Sequence, residues 1–194
     1  NSMIFFSAMD EHVYALDAAT GNVRWKFATY MFYTAPVYAN GIVYVIDQEK
    51  QDLVALNSHT GATLWRYRMS SVFEAGVLDD LVYAGDSDGM LHAIDIASGK
   101  LRWSFLTKPG YRFSSPPVIY NRGIVYISGG DKHMYALSAE DGRLRWKFQT
   151  EAMITSSPLV QLGVVYFGTE DGTLHALDHA SGQSLWSYSI GQAI

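Results

Sequence analysis

The sequence predicts an all-β protein assembled from five copies of one unit, and three observations carry this prediction. A motif of the form Ala-x-Asp-x-x-x-Gly-x-x-x-Trp recurs five times in the 194 residues, with the aspartate replaced in two copies. Successive tryptophans are 40, 38, 43 and 40 residues apart. Each interval holds four short apolar runs separated by turn signals, and four strands in such an interval match one blade of a β-propeller.

The last full unit shows the four strands of a blade in order. Residues 153–160 contain Ser-Ser-Pro and are predicted to form the first, innermost strand. Residues 164–168 are almost continuously apolar, as in a strand that is buried on both faces. Residues 174–178 and 185–188 form the third and fourth strands, and a turn that contains glycine precedes each of them.

The fourth strand of each of the first four units combines the motif tryptophan with basic side chains in alternation. One face can therefore pack while the other stays charged, which suits an outer edge strand that must not pair with a neighbouring molecule. We interpret these cations as edge protection and not as a nucleic-acid surface, because the chain carries a net charge of −5. The cations are Arg24, Lys26, Arg66, Arg68, Arg102, Arg145 and Lys147.

The five motifs resemble the tryptophan-docking motif of PQQ-like repeats, and the resemblance covers nearly the whole chain. Such repeats build quinoprotein dehydrogenases, the scaffold lipoprotein of the outer-membrane β-barrel assembly machinery, and propeller domains attached to other proteins. The resemblance implies that each tryptophan packs between adjacent blades, against a turn of the neighbour. It assigns this structural role to Trp25, Trp65, Trp103, Trp146 and Trp186, with the turn glycines Gly21, Gly61, Gly99, Gly142 and Gly182.

The motif departs from its pattern at the aspartate, which is Asn57 in the second unit and Ser138 in the fourth. A motif bond that requires a carboxylate is therefore not assigned to those two units. Two other propeller families fit less well, because the chain has no Trp-Asp dipeptide and only one Gly-Gly pair, Gly129-Gly130.

Composition favours a single globular domain over residues 1–194, with 48% hydrophobic residues to fill its core. The approximate repeats are 1–28, 29–69, 70–107, 108–150 and 151–190. The absence of cysteine excludes disulfides and thiolate metal sites. The sequence predicts neither a membrane span nor a signal peptide, whereas the family resemblance suggests a periplasmic or other extracytoplasmic location.

The ring formed by these units is predicted to be incomplete. The first unit begins at its second strand, residues 3–8, and residues 189–194 supply only the start of the inner strand that it lacks. Two interpretations stay open: an arc of a seven- or eight-bladed ring, as the resemblance implies, or a five-bladed form with a short or swapped closure. An arc would expose an apolar face at each end, which favours self-association or contact with the remaining blades of a larger propeller.

Two apparent motifs are predicted to be structural. Residues 85–89 match the G-x-S-x-G nucleophile elbow, and Asp86 to Gly89 also match the opening of a calcium loop. Both matches fall on a β-hairpin turn, and Ala97 stands where a calcium loop needs glutamate. His92 and His175 share one repeat position, which is a valine in the second unit, so we expect packing there and no metal site.

The binding surface is expected at the mouth of the central channel. The longest interval between tryptophans contains an insertion around Tyr111, and insertions in repeat proteins tend to lie on the binding face. The alternative is a longer connection that is held by packing of Tyr111. The candidate residues for contact with a ligand or a protein partner are Tyr33, Phe73, Glu74, Lys108, Tyr111, Arg112 and Phe113.

Three functional hypotheses follow. The first is a non-catalytic scaffold that binds protein partners through the loops at the mouth, with no cofactor, no metal and no nucleic acid. The second is a ligand-sensing propeller domain of a larger protein. The third is part of a PQQ-dependent quinoprotein dehydrogenase, with PQQ and calcium in the channel. We favour the first, because the adjacent cysteine pair typical of many such dehydrogenases is absent and no Asp/Glu/Asn cluster aligns as calcium ligands.

Overall fold

The computed structural model of the chain describes residues 2–30, 35–69, 74–111, 113, 118–120 and 123–191. The described residues form five antiparallel sheets in which every strand pairs with its neighbour in sequence. The first sheet has three strands and the other four sheets have four. The all-β prediction is confirmed, and no helix of membrane-spanning length and hydropathy occurs in the described part of the chain.

We call the sheets blades 1 to 5. Blade 1 contains β1 (Met3–Ala8), β2 (His12–Asp17) and β3 (Val23–Ala28). Blade 2 contains β4 (Val37–Ala39), β5 (Ile42–Asp47), β6 (Asp52–Asn57) and β7 (Thr63–Arg68). Blade 3 contains β8 (Glu74–Leu78), β9 (Leu81–Gly85), β10 (Met90–Asp95) and β11 (Leu101–Leu106). Blade 4 contains β12 (Val118–Tyr120), β13 (Ile124–Gly129), β14 (His133–Ser138) and β15 (Leu144–Gln149). Blade 5 contains β16 (Leu159–Gln161), β17 (Val164–Gly168), β18 (Thr173–Asp178) and β19 (Ser184–Ser189).

Burial follows the order of strands in each blade. The second strand of a blade is rich in β-branched and aromatic residues, and β5, β9 and β13 are buried along almost their whole length. The outer strands β3, β7, β11 and β15 expose their basic side chains along one edge of each sheet, as predicted. Residues 86–89 connect β9 to β10, so the elbow and calcium-loop matches do fall on a hairpin turn.

The inner strand of blade 5 is shorter than predicted and begins later. Strand β16 starts at Leu159, and Ile154 contributes only an isolated bridge to Thr169. The Ser-Ser-Pro segment between them departs from a regular ladder, because Pro158 has no N–H to donate. Instead, the side-chain Oγ of Ser156 accepts a hydrogen bond from the Gly168 N–H at 2.8 Å.

The turn between the third and fourth strands keeps its side-chain bonds where asparagine replaces the aspartate. Asp17 Oδ1 accepts hydrogen bonds from the N–H groups of Ala19 and Thr20 at 3.1 and 3.0 Å. Asn57 Oδ1 accepts the equivalent bonds from His59 and Thr60, each at 3.0 Å. These two bonds are kept at Asn57, because they need an acceptor oxygen and not a negative charge.

The hydrophobic core lies between the blades and not within any one of them. Four clusters of buried side chains occupy the four junctions between successive blades. In the cluster between blades 1 and 2, for example, Val13 and Trp25 pack against Val45 and Val54. Each blade therefore depends on its neighbours for burial, as is typical of stacked repeats.

One repeat position offers a paired test of this packing. Tyr44 and Tyr126 both pack against the motif tryptophan of their own blade, Trp65 and Trp146 respectively. The Tyr126 hydroxyl donates a hydrogen bond to the His179 carbonyl at 3.0 Å, whereas the buried Tyr44 hydroxyl has no hydrogen-bond partner among the described atoms. Burial also raises the pKa of Tyr44 to about 12.

We therefore expect opposite effects from the same substitution at the two sites. Tyr44→Phe should raise the free energy of unfolding by about 1 kcal/mol, because it removes a desolvated hydroxyl without a partner. Tyr126→Phe should lower it by about 1 kcal/mol, because it removes a hydrogen bond. Urea unfolding of both variants measures the difference, and equal losses at the two sites would contradict this description of the packing.

Candidate functional site

Four of the five motif tryptophans connect one blade to the next. In each case the indole Nε1 donates a hydrogen bond to a main-chain oxygen of the following blade, three residues before its motif glycine. The donor and acceptor pairs are Trp25 with Ser58 at 2.8 Å, Trp65 with Ile96 at 2.8 Å, Trp103 with Ala139 at 3.0 Å, and Trp146 with His179 at 3.0 Å.

Each of these indoles also lies over the motif glycine of the following blade. A Cβ atom added to that glycine would come within 2.5 to 2.8 Å of an indole atom, which is closer than packed atoms approach. The glycines in this position are Gly61, Gly99, Gly142 and Gly182. A larger residue at any of them would therefore push the indole away from its turn.

The first and last motifs differ from the other copies. The side chain of Trp186 is 46% exposed, whereas that of Trp146 is 7% exposed. No described atom lies within 4 Å of a Cβ added to Gly21. Within the described residues, Trp186 and Gly21 therefore lack the contact between indole and turn that joins the other blades.

The surface that corresponds to the predicted channel mouth is built from five hairpins. They join the strands β1 to β2, β5 to β6, β9 to β10, β13 to β14 and β17 to β18. We call these hairpins, with the connection that leaves the outer strand of each blade, the mouth surface. The connections are fixed at their start by main-chain hydrogen bonds of 2.9 to 3.0 Å to the hairpins. The bonds run from Thr29 to Glu11, Met69 to Gln51, Thr107 to Gly89, Thr150 to Lys132 and Ile190 to Gly172.

The connection after β11 folds back over the hairpin of its own blade. The Thr107 hydroxyl donates to the Gly89 carbonyl at 2.8 Å, and the Gly110 N–H donates to the Asp88 carbonyl at 3.3 Å. Lys108 Nζ lies 4.6 Å from the centre of the Tyr111 ring, a cation–π contact. Tyr111 is 41% exposed, so the loop presents a paired cation and aromatic ring to solvent.

The other predicted binding residues have different surroundings. Phe113 forms an isolated bridge to Gly129 and packs against the core cluster between blades 3 and 4, with its ring over Gly85. Glu74 is the first residue of β8, and its main chain pairs with Gly85. The predicted site residues Tyr33, Phe73 and Arg112 lie outside the described residues.

The hairpins of the mouth surface carry much of the negative charge of the chain. Residues 9–11, 48–51, 86–89, 130–132 and 169–172 hold eight of its 19 acidic residues but only two of its 14 lysines and arginines. Local bonds keep several of these carboxylates ionised. A hydrogen bond from Tyr14 lowers the pKa of Asp10, and a hydrogen bond from Thr169 lowers the pKa of Asp171. The mouth surface therefore favours a partner with basic groups.

One polar chain at the junction of blades 2 and 3 was missed by sequence reasoning. His92 Nε2 lies 3.2 Å from Asp86 Oδ2, and His92 Nδ1 lies 3.2 Å from the Tyr67 hydroxyl of blade 2. Burial acts to raise the pKa of Asp86, but the contact with His92 and two main-chain N–H bonds outweigh it, so that this pKa is lowered. An alignment of the repeats could have indicated the contact between Asp86 and His92, because Thr169 and His175 stand at the same two repeat positions in blade 5 and are also close, at 3.5 Å.

Comparison with known proteins gives one family. The family model described as outer membrane protein assembly factor BamB matches residues 1–110 and 106–193. The outer membrane protein assembly factor BamB of Yersinia pestis is 29% identical over 205 residues, which cover 92% of this chain and 52% of that protein. The chain therefore spans about half the length of this relative.

Solved structures agree on the fold. BamB from Moraxella catarrhalis superposes with a TM-score of 0.81 at 22% identity, covering 97% of this chain and 58% of that chain. A europium-containing methanol dehydrogenase superposes with a TM-score of 0.82 at 16% identity, covering 98% of this chain and 50% of that chain. Such low identities establish the fold alone, and the predicted propeller architecture of PQQ-like repeats is confirmed.

Proposed function

Because this chain belongs to the family of the outer membrane protein assembly factor BamB, we propose that it is a non-catalytic propeller scaffold for protein partners in outer membrane protein assembly. The observation that carries the proposal is the match of the family model along both halves of the chain, residues 1–110 and 106–193. The names of its relatives further support a position at the outer membrane, in an extracytoplasmic, periplasmic compartment.

The mouth surface is our candidate for the partner-binding site. The first residue of each connection is held to its hairpin by a main-chain hydrogen bond, which lowers the cost of ordering the hairpins on binding. Tyr111 and Lys108 form an exposed pair on this surface, and aromatic residues are enriched among interface hot spots. We extend the candidate site to Glu74 and Phe113, and to Tyr33, Phe73 and Arg112.

The motif tryptophans and glycines have a structural role in this proposal. Their hydrogen bonds and close contacts link four pairs of blades, and none of these bonds involves the mouth hairpins. Such links keep the hairpins of successive blades in fixed positions. The same backbone can therefore support different binding surfaces as its loops vary.

The quinoprotein alternative has support from the fold alone. The methanol dehydrogenase is 16% identical to this chain, which is too little to carry over its activity. Within the described residues, no group of three or more histidine, aspartate or glutamate side chains is placed to hold a metal ion.

The partner-binding proposal predicts a loss of affinity when the exposed pair is changed. We expect Lys108→Ala combined with Tyr111→Ser to weaken binding to the purified outer membrane protein assembly complex of Yersinia pestis, prepared without its own BamB, by about ten- to a hundred-fold. Surface-immobilised chain and interferometry measure the dissociation constant. A suitable control is Lys100→Ala combined with Leu101→Ser, two exposed residues of the same blade: Lys100 lies in the turn before β11 and Leu101 is the first residue of that strand.

Three outcomes would contradict the proposal at different points. If the unchanged chain fails to bind the complex, the scaffold function is wrong. If the Lys108 and Tyr111 variant binds as tightly as the unchanged chain, or the control variant loses as much affinity, the site is wrong. Circular dichroism of both variants separates loss of binding from loss of fold.

A titration with PQQ in calcium-containing buffer tests the catalytic alternative. We expect no saturable change in absorbance or heat, and no quinone-dependent reduction of a redox dye in the presence of alcohols or sugars. Saturable binding together with substrate-dependent dye reduction would show that the chain is an enzyme and would overturn the scaffold proposal.

A further inference from the structure

A cavity of about 430 Å³ opens between blades 3 and 4, at the end of the blades opposite to the mouth surface. Blade 3 lines it with residues 78–81, which include the turn from β8 to β9, and with Tyr83 and Arg102. Blade 4 lines it with Ala139 and Glu140, from the turn between β14 and β15. A cavity of this size has room for a long side chain or a small ligand.

The cavity is open because a small residue stands where the neighbouring junction has a large one. Ala139 occupies the position three residues before the motif glycine of blade 4, and Ile96 occupies the same position in blade 3. The Ile96 side chain packs against the core cluster between blades 2 and 3. Between blades 3 and 4, alanine leaves that space empty, and Tyr83 lines the opening.

Tyr83 brings a hydroxyl without a partner to this cavity. Tyr83 is 2% exposed, yet its hydroxyl forms no hydrogen bond with the described atoms. In blade 4 the equivalent hydroxyl, of Tyr126, donates to the His179 carbonyl at 3.0 Å. Burial, and to a smaller extent the charges of Asp80 and Asp79, raises the pKa of Tyr83 to about 12, so its hydroxyl lies near the carboxylates that line the cavity. Buried hydroxyls normally have a partner, and this one marks a position where a ligand group can supply it.

Three carboxylates border the cavity, at positions without an acidic residue in any other unit of the sequence. Asp79 and Asp80 form a turn that is Asn-Gly in blade 2 and Leu-Gly in blade 5, and Glu140 stands where the other motifs have alanine or histidine. The single cation among the described lining residues, Arg102, pairs with Asp80 at 3.4 Å, and both side chains are more than half exposed. Such an exposed pair is weak, so the cavity favours a further cation.

We propose that this cavity binds the side chain of an arginine of a partner protein. The guanidinium group would donate hydrogen bonds to the Tyr83 hydroxyl and to the carboxylates of Asp79 and Glu140, and its aliphatic stem would cover Leu78 and Leu81. Arginine suits the site better than lysine, because its planar group carries five donors that can reach a hydroxyl and carboxylates together. This inference goes beyond the proposed function, since the cavity and the mouth surface lie at opposite ends of the blades.

Titration with a short peptide, followed by NMR of the chain with isotope-labelled tryptophan, tests the proposal. The probe is the acetylated and amidated pentapeptide Gly-Ser-Arg-Ser-Gly. The Trp103 indole donates to the carbonyl of Ala139 beside the cavity, so its signal should shift to saturation with a dissociation constant of about 1 mM. The indole signals of Trp25 and Trp146, at other junctions, should not move. The same peptide with citrulline, which has the shape of arginine without its charge, should bind about ten-fold more weakly or less.

Three variants and one matched control assign the binding to the cavity. Ala139→Ile places the residue of the neighbouring junction in the cavity and should weaken binding by about ten-fold or more. Asp79→Asn should weaken it by about three- to five-fold and keep the turn, because Asn40 has the same φ of 51° in blade 2. Tyr83→Phe should weaken it by about ten-fold, because the hydroxyl would bond a charged group. Tyr44→Phe, at the same repeat position but outside the cavity lining, should leave binding unchanged.

Each contrary result would overturn the proposal. Absence of a saturable shift at Trp103 up to about 20 mM peptide would show that the cavity does not bind an arginine side chain. Equal binding of the citrulline peptide would show that the carboxylates do not select a cation. Unchanged binding in the Asp79→Asn or Tyr83→Phe variant, or an equal loss in the Tyr44→Phe control, would place the site elsewhere. Binding of butylguanidinium without binding of the peptide would show that the occupant is a free small cation. Melting temperatures confirm that the variants remain folded, and Asp79→Asn and Tyr83→Phe decide the question if Ala139→Ile does not fold.

Discussion

Replacing Trp146 by alanine should destabilise the protein by about 3–5 kcal/mol, among the largest losses expected for a single substitution. The Trp146 side chain is 7% exposed, packs in the core between blades 4 and 5, and donates its indole N–H to the His179 carbonyl at 3.0 Å. The substitution removes the ring, leaves a cavity at the junction and leaves that carbonyl without its indole donor. Chemical denaturation followed by circular dichroism measures the loss.

The matched control is Trp186→Ala, which changes the same position of the same motif. Because Trp186 is half exposed, its removal from this chain should cost about 1 kcal/mol or less. If both substitutions cost the same, burial at the junction would not be the source of the stability. The difference between the two variants therefore isolates the contribution of one blade-to-blade contact.

Gly182→Ala should cost about 2–4 kcal/mol, and the cost has two separable parts. The first part is backbone strain, because Gly182 has a φ of +71°, a conformation that alanine rarely adopts. The second part is steric, because the added methyl group would lie 2.5 Å from an atom of the Trp146 ring. Overpacking of this kind typically costs about 1–3 kcal/mol.

Gly21→Ala separates the two parts. Gly21 also has a φ of +71°, but no described atom lies within 4 Å of the added methyl group. It should therefore lose only about 1–2 kcal/mol, the cost of the backbone conformation. Thermal melting of the two variants compares them directly, and an equal loss at both sites would contradict the close contact between indole and glycine.

The repeat motif predicted the fold because it records the contact that joins the blades. Trp25 and Gly61 are 36 residues apart in sequence, yet both stand at fixed motif positions, so their meeting could be expected from the pattern and the resemblance. The second strand of each blade was equally predictable, because burial on both faces requires a continuous apolar run.

Other features could not be predicted, because they depend on side-chain geometry. The inner strand of blade 5 was placed too early, since nothing in the pattern shows that Ser156 Oγ replaces a main-chain acceptor. The motif pattern alone does not show that the Asn57 amide oxygen accepts the same turn bonds as Asp17. The contact of Lys108 with Tyr111 depends on the fold of a loop that only one unit contains.

The mouth surface was predicted only in outline for the same reason. A repeat pattern specifies where loops occur but not which side chains those loops expose to solvent. Tyr111 was a candidate because it lies in the longest interval, whereas the burial of Phe113 against blades 3 and 4 required the packed structure. The excess of carboxylates on the hairpins was present in the sequence, but it becomes a surface property only when the five hairpins lie at one end of the blades.

Hydrogen exchange at the five indole N–H groups tests most directly whether the tryptophans join successive blades. The protein is labelled with isotopes at tryptophan and measured at a concentration where the protein is monomeric. Trp25, Trp65, Trp103 and Trp146 should be protected, because each donates to the next blade. Trp186 should exchange at the rate of an exposed indole. Equal exchange at all five indoles, or rapid exchange at any of the four bonded ones, would contradict the stacking of five blades through their tryptophans.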